Sequence, residues 1–324
     1  MKKIILILAS LCMMLLMTSC KRKEPIIRTN LMLNTIVSIT VYDNRDVSIV
    51  DGAFRLISEY ENMFSKTIES SDIYKINHRN SQRVKVSPET AEIIAQALHY
   101  SDLSDGKFDI TIDKVNELWD FTGDAKVPPQ YEIKQALKSV NYKAVSVSGE
   151  EVLITDDSIR LDLGAIAKGY IADKVKEYLV KNGVENAIIN LGGNILCVGT
   201  LPNGNPMNIG IRKPFYNDIA VSLSLTDKSV VSSGVYERYF EKDGKLYHHI
   251  LDTKTGYPVD NNLYSVTVIS DKSVDGDALS TALFTIGLDE GIKLADTIPD
   301  TYVIFITDDY KLYYSRGTEN FITE

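Results

Sequence analysis

Apolar residues along the chain recur with two periods, which predict its helices and strands. A spacing of three to four residues predicts helices over residues 51–64, 88–106, 130–139, 165–181, 277–287 and 289–297. Alternating or short apolar runs predict strands over residues 36–41, 144–147, 152–155, 159–163, 187–191 and 302–306, and a meandering sheet over 195–269. Because helices and strands are mixed without strict alternation, we predict an α+β fold, with mixed sheets and flanking helices.

The first thirty residues depart from this pattern. Two lysines precede an apolar run over residues 4–17, which is short for a membrane span of roughly 20 residues and suits a signal sequence. Residues 16–20, LMTSC, resemble a bacterial lipobox with Met17 at a position usually held by leucine. We therefore predict a lipoprotein signal peptide over 1–19 and a lipidated Cys20 with a tether over 20–30. An ordinary secretory signal and an uncleaved anchor remain alternatives.

No linker divides residues 31–324, so we expect one domain of two lobes around a cleft. The lipobox places this domain on the extracytoplasmic face of a bacterial membrane. With Cys12 in the signal and Cys20 lipidated, Cys197 has no partner for a disulfide, and its apolar neighbours predict a buried thiol. A net charge of −9 without a basic cluster in the domain argues against nucleic acid as a partner.

The chain lacks the P-loop, HExxH, CxxC and GxGxxG motifs, so phosphate chemistry would need another device. In RLDLGAIAKGY, residues 160–170, a strand runs into a helix through Asp162 and Gly164. The helix start and Lys168 would attract an anion such as a diphosphate. Alternatively, Asp162 only caps the helix and Lys168 is a solvated surface residue.

A second segment, DGDALSTALFT over residues 275–285, places Asp277, Thr281 and Thr285 on one helix face. A carboxylate and a hydroxyl one turn apart supply two hard oxygen donors, which suit Mg²⁺. The alternative is that Asp277 interacts only with the helix dipole while Thr281 bonds back to a carbonyl of its own helix.

Two further segments carry weaker signals. In YHHILDTKTGYP, residues 247–258, strand geometry would send His248 and His249 to opposite faces, so that one of them could act as an acid or base. In DGKFDIT, residues 105–111, the ring of Phe108 could lie beside an aromatic ligand, with Asp109 nearby. Ordinary histidines, a core phenylalanine and a capping aspartate are the alternatives.

Together these segments resemble the ApbE-type FAD:protein FMN transferases, in the order found along that family. The matches are DGKFDIT (105–111), NELW (116–119), DLGAIAKGYIAD (162–173), NLGGN (190–194), GIRKP (210–214), SSGVYERYF (232–240), HILDTKTGYP (249–258) and DALSTALF (277–284). The resemblance runs from about Leu31 to the end of the chain.

The resemblance implies a role for individual residues. FAD contacts would come from Leu33, Thr67, Lys107, Phe108, Asp109, Asp162, Lys168 and Ile250, and Mg²⁺ would be held by the Ala165 carbonyl, Asp277 and Thr281. Two positions depart from the family pattern. Leu33 stands where methionine is usual, and Thr67 stands where an aromatic flavin contact is usual, which bears on how the flavin ring would be held.

The implied reaction is Mg²⁺-dependent transfer of FMN from FAD to a threonine hydroxyl of an acceptor protein, with release of AMP. His249 is our candidate for the base. The resemblance also implies acceptors with a D-G-x-[ST]-G-A-T-like segment, a string that this chain lacks. Two other functions fit the same residues. Water in place of threonine would give an FAD pyrophosphatase, and loss of turnover would leave a flavin-binding lipoprotein.

Overall fold

The computed structural model describes residues 24–44, 46–121, 123 and 125–323. The predicted signal peptide and Cys20 therefore lie outside the described residues. Within the described ranges, none of the helices has both the length and the hydropathy that a bilayer crossing requires.

Eight antiparallel strands form the main sheet, in the order β1-β2-β6-β7-β10-β13-β14-β15. Their bounds are Ile26–Met32 (β1), Thr35–Val41 (β2), Ala187–Leu191 (β6), Asn194–Val198 (β7), Ser229–Gly234 (β10), Leu263–Ser270 (β13), Tyr302–Thr307 (β14) and Leu312–Tyr314 (β15). Strand β1 begins inside the segment predicted as a tether over residues 20–30. It pairs along its whole length with β2, so this part of the segment belongs to the folded domain.

Three smaller sheets complete the strands of the described chain. They are β3-β5-β4, from Arg83–Lys85, Glu151–Ile154 and Val145–Ser148; β16-β9-β8, from Ile322–Thr323, Ile219–Leu225 and Met207–Arg212; and β11-β12, from Tyr239–Lys242 and Lys245–His248. The predicted meander over 195–269 does consist of strands, but they are divided among three sheets rather than forming one. The strand predicted over 159–163 is absent, since only an isolated bridge from Arg160 to Ile112 forms there.

Eight α-helices and three short 3₁₀ helices lie in the described residues. The α-helices are Val47–Phe64 (α1), Asp72–Asn77 (α2), Pro88–Leu103 (α3), Asp113–Asn116 (α4), Gln130–Ala136 (α5), Ala167–Lys181 (α6), Ser273–Ile286 (α7) and Leu288–Ala295 (α8); the 3₁₀ helices are Leu137–Ser139, Tyr142–Ala144 and Thr318–Phe321. The predicted helices are thus confirmed, although α1 and α7 each begin four residues earlier than predicted, so that Asp277 lies in the second turn of α7.

The main sheet is covered on both faces, which explains why β13 and β14 are almost wholly buried. Apolar side chains of α1, α6 and α7 pack with Val37, Val266 and Val268 in the larger core. On the other face, Cys197 and Val230 pack with Met207 and Leu223 of the β8-β9 sheet. The α+β class and the single domain are confirmed. The buried thiol of Cys197 is confirmed as well, and burial raises its pKa to about 12.

Candidate functional site

The candidate site forms where the start of α6 meets α7. A Cβ atom on Gly169 would lie 2.3 Å from the carbonyl oxygen of Ser273, so only glycine allows the two helices to approach this closely. Asp173, one turn further along α6, accepts hydrogen bonds from the backbone N–H groups of Ser273 (2.8 Å) and Val274 (2.9 Å). A carboxylate of α6 therefore caps the start of α7, although sequence analysis gave Asp173 no role beyond a motif match.

Asp277 is buried at this junction, with 4% of its surface exposed. Its Oδ2 accepts a hydrogen bond from the Gly169 N–H (2.8 Å), and its Oδ1 lies 3.4 Å from the Lys168 Nζ. The Gly169 N–H, which in a regular helix would reach the Ala165 carbonyl four residues earlier, is thus given to a carboxylate. In this structure the helix start holds a carboxylate of the protein itself, while the predicted binding of a diphosphate stays a prediction.

Thr281 lies one turn beyond Asp277 on α7 and faces strand β10. Its Oγ1 is 3.2 Å from the Oγ of Ser233, which also contacts the Ser280 hydroxyl at 2.8 Å. Ser233 belongs to the segment matched over 232–240, but no role was predicted for it. Its closeness to Thr281 depends on how β10 packs against α7, which sequence spacing does not reveal.

These positions allow a test of whether the predicted donors suit Mg²⁺. The Asp277 carboxylate, the Thr281 hydroxyl and the Ala165 carbonyl are hard oxygen donors, as this ion requires. Within the described residues, no group of three or more His, Cys, Asp and Glu side chains is arranged to hold a metal ion. The donor set therefore fits an ion that takes few protein ligands and completes its shell with water and phosphate oxygens.

Asp162 belongs to a charge network that sequence analysis missed. The Nζ of Lys66 lies 2.9 Å from its Oδ2 and 2.5 Å from the Oδ1 of Asp113, whose side chain is only 1% exposed. Burial raises the pKa of Asp162, but the Lys66 ammonium outweighs this effect and holds the pKa below its usual value. Asp162 also accepts a bond from the Gly164 N–H (2.8 Å), but α6 begins only at Ala167 and has no side-chain cap, so the alternative that Asp162 caps this helix is wrong.

The Lys107–Asp109 segment is tied to the site by its backbone. The Lys107 carbonyl accepts a hydrogen bond from Thr285 Oγ1 on α7 (3.2 Å). The side-chain Nζ of Lys107 lies 3.3 Å from Asp252 Oδ2. The ring of Phe108 is packed in the core, which favours the core interpretation of that ring. Both carboxylate oxygens of Asp109 accept bonds from the protein, from Thr111 and Tyr142.

The two histidines face different surroundings, as strand geometry predicted. His248 is buried; its Nε2 donates to the Val259 carbonyl (3.0 Å) and its Nδ1 accepts from the Ile250 N–H (3.3 Å). His249 points the other way, and its buried Nδ1 has no hydrogen-bond partner in the described part of the chain. Burial, together with the positive charge of Arg238, lowers the pKa of His249 to about 3, and Lys168 contributes in the same direction.

Two predicted flavin contacts lie away from this junction. Leu33 sits in the two-residue turn between β1 and β2 with a φ of 52°, and its N–H donates to Glu61 Oε1 (2.9 Å). Thr67 is exposed and is hydrogen-bonded to Ser65 through its hydroxyl (3.1 Å) and its N–H (3.2 Å). Ile250 is buried, and its carbonyl accepts a bond from the Val259 N–H (3.0 Å). The contacts thus bring together Lys168, Gly169, Asp277, Thr281 and Ser233, and the charge of Lys168 also acts on His249.

Comparison with known proteins identifies the class as flavin transferases. The chain is 38% identical to the FAD:protein FMN transferase of Klebsiella pneumoniae over 283 residues, which are 85% of this chain and 87% of the relative. It superposes on an ApbE protein of Thermotoga maritima with a TM-score of 0.85 and 32% identity, covering 93% of this chain and 100% of the other. For the flavin transferase ApbE of Vibrio cholerae, the TM-score is 0.84, the identity 26% and the coverage 92% and 99%.

The sequence model of the ApbE family matches residues 33–305. The chain therefore belongs to the ApbE family, and it is an enzyme of the transferase class.

Proposed function

We propose that this chain transfers FMN from FAD to a threonine hydroxyl of an acceptor protein, with release of AMP and dependence on Mg²⁺. The observation that carries this proposal is the group of Asp277, Thr281 and Lys168 at the α6–α7 junction, together with His249, whose pKa the charge of Lys168 helps to lower. It combines oxygen donors for a metal ion, a cation for phosphate and a histidine nitrogen without a hydrogen-bond partner.

The residues that would hold Mg²⁺ are Asp277, Thr281 and the Ala165 carbonyl. When bound, the ion supplies positive charge to the diphosphate of FAD as negative charge develops on the leaving group. Lys168 now lies 3.4 Å from Asp277. In the complex with FAD, the Lys168 ammonium group would interact with a phosphate oxygen of the diphosphate.

His249 is the residue that we assign to proton transfer. With a pKa of about 3 its imidazole is neutral at physiological pH, so the buried Nδ1 can accept the proton of the threonine hydroxyl. The negative charge of a bound diphosphate would offset the effect of Arg238 and Lys168 and raise that pKa toward the range useful for a base. The threonine oxygen bonds to the FMN-side phosphorus, the bond from that phosphorus to the bridging oxygen breaks, and AMP leaves.

The remaining expectations are part of the same proposal. FAD would be contacted by Leu33, Thr67, Lys107 to Asp109, Asp162, Lys168 and Ile250, and the acceptor would carry a D-G-x-[ST]-G-A-T-like segment. Lipidation of Cys20 would hold the domain over 31–324 at the extracytoplasmic face of a bacterial membrane, where membrane-bound acceptors are accessible. The matches of residues 16–20 and of the family segments support these assignments.

Mass spectrometry of an acceptor peptide tests the activity. The chain from Lys21 onward is incubated with FAD, Mg²⁺ and a peptide that carries DGxTGAT, with Asp277→Ala as the matched variant. We expect the mass of FMN to be added to a threonine by the wild type and not by the variant. Accumulation of free FMN and AMP with an unmodified peptide would instead identify an FAD pyrophosphatase, and intact FAD a flavin-binding protein.

A further inference from the structure

An exposed aromatic cluster lies beside the candidate site. We call it the aromatic rim and define it as Arg212, Phe215, Tyr236, Tyr239 and Tyr264. The ring of Phe215 is its centre and meets the rings of Tyr236, Tyr239 and Tyr264 edge-on, with centroids 6.1, 5.3 and 5.1 Å away. Phe215 and Tyr239 nevertheless remain 37% and 38% exposed. Aromatic side chains held together in this way leave a rigid apolar surface open to solvent.

The backbone is strained where it presents Phe215. The Tyr216 N–H donates to the Lys213 carbonyl (3.1 Å), which closes a four-residue turn with Pro214 in its second position and Phe215 in its third. Phe215 has a φ of 63°. Proline at the second position and a positive φ at the third define a type II turn, in which glycine is the unstrained residue. A bulky side chain there costs on the order of 1–3 kcal/mol, so the ring must serve another purpose.

The rim is continuous with the site through residues 232–240. At one end of this segment, Ser233 contacts Thr281 at 3.2 Å. At the other end, the carbonyl of Arg238 accepts the N–H of His249 at 3.1 Å. Between them, the ring of Tyr236 folds back on Gly234, where a Cβ atom would come within 2.5 Å of that ring. A molecule lying on the rim would therefore reach the residues around the reacting phosphate.

Cations lie over the tyrosines of this surface, although the chain as a whole carries a charge of −9. The guanidinium carbon of Arg212 is 4.8 Å from the ring centre of Tyr236. Next to the rim, the Nζ of Lys213 is 4.5 Å from the ring centre of Tyr216 and 4.8 Å from that of Tyr310. Tyrosine and arginine are the residues that dominate binding energy at protein interfaces. The Nη2 of Arg212 is already paired with Glu237 Oε1 at 2.7 Å, so it is Lys213 that would complement an acidic partner segment.

We propose that the aromatic rim is the docking surface for the acceptor protein. The rim holds an acidic segment of the acceptor that lies beside the threonine whose hydroxyl receives FMN. This inference rests on the proposed transferase function. The reaction needs a polypeptide hydroxyl to approach His249, and the surface that leads to His249 along residues 232–240 is the rim. None of the residues that the family resemblance assigns to FAD belongs to it.

The test compares Phe215→Gly and Tyr239→Ala with the wild type, with Tyr131→Ala as control, because Tyr131 is an exposed tyrosine on another element, α5. Transfer is measured at saturating FAD and Mg²⁺ over a range of the DGxTGAT peptide, and FAD affinity is measured without peptide. We expect both rim variants to raise the KM for the peptide about tenfold or more, with FAD affinity within twofold of wild type. The melting temperature of Phe215→Gly is measured as a check on folding, because glycine relieves the turn but removes three ring contacts.

Binding of a fluorescently labelled peptide provides a readout that needs no transfer. If the wild type fails to transfer FMN, the proposed function is at fault, while weaker peptide binding by Phe215→Gly would still support docking. An unchanged peptide affinity and KM in both rim variants would overturn the inference. A loss of FAD affinity in the rim variants would show that the rim binds the nucleotide instead. If the wild type is a dimer and Phe215→Gly is a monomer, the rim is an interface between two copies of the chain.

Discussion

His249 shows how position within a site separates two chemically identical neighbours. His248 has both ring nitrogens hydrogen-bonded inside the core, so it can only support the loop that it holds. The Nδ1 of His249 is equally buried, but among the described residues it has no hydrogen-bond partner, a costly arrangement unless a ligand supplies the missing group. This difference is the reason why we propose His249, and not His248, for proton transfer.

At the residue scale, we expect His249→Ala to slow FMN transfer at least about tenfold while FAD binding is retained, because the base and not the diphosphate grip is lost. Initial rates and FAD affinity are measured for the variant and for His78→Ala, which replaces an exposed histidine. A transfer rate equal to the wild type in His249→Ala would remove this residue from proton transfer.

The relation of α6 to α7 fixes the candidate metal ligands. Asp173 holds the first two N–H groups of α7, and Gly169 lets that helix start lie against α6. Asp277 then faces the start of α6 rather than solvent. The positions of the site residues therefore depend on the packing of α6 against α7. A substitution of the capping residue Asp173 should shift Asp277, which lies four residues after the start of α7.

At the element scale, we expect Asp173→Asn to destabilise the fold by about 1 kcal/mol and to raise severalfold the Mg²⁺ concentration needed for half-maximal transfer. The amide keeps one acceptor oxygen for two N–H donors, so α7 is held less firmly. Urea unfolding and Mg²⁺ titrations are compared with Glu177→Gln, an exposed carboxylate on the same helix. Equal Mg²⁺ requirements in the two variants would show that the cap does not set the ligand positions.

Burial in the folded molecule shifts the pKa values of two titratable groups in opposite directions. Burial lowers the pKa of His248 to about 4, with Asp260 and the Val259 carbonyl acting weakly in the opposite direction. Burial also raises the pKa of Asp173 to about 6, partly offset by the N–H groups that it accepts. The two shifts have opposite effects on the pH dependence of unfolding, so each must be tested by its own variant.

At the scale of the whole fold, we expect His248 to lower the free energy of unfolding as the pH falls from about 6.5 to 4. Between these pH values the unfolded chain binds a proton at His248 that the folded chain does not bind. The resulting loss in the free energy of unfolding is about 3 kcal/mol at most. His248→Gln should show a shallower decline in urea unfolding between pH 7 and pH 4 than wild type or the exposed-site variant His78→Gln. Parallel declines in all three proteins would contradict the assignment.

The sequence by itself determined the elements and the family. Helical periodicity located α1, α3 and α6 to within a few residues, because an amphipathic stripe is a local property. The ordered motifs fixed Asp277 and Thr281 as neighbours on one helix for the same reason. The strand predicted over 159–163 failed because its apolar residues are buried by packing in the core without ladder partners.

Only the tertiary structure decided how distant segments meet. Lys66 reaches Asp162 across 96 residues and Asp113 across 47, and Ser233 reaches Thr281 across 48, so no local spacing could reveal these pairs. The different hydrogen bonding of His248 and His249 likewise depends on which parts of the fold pack against each ring. The same holds for the positive φ of Phe215, which exposes its ring. Local pattern depends on which residues are near in sequence, whereas a site depends on long-range packing that brings charged and polar groups together.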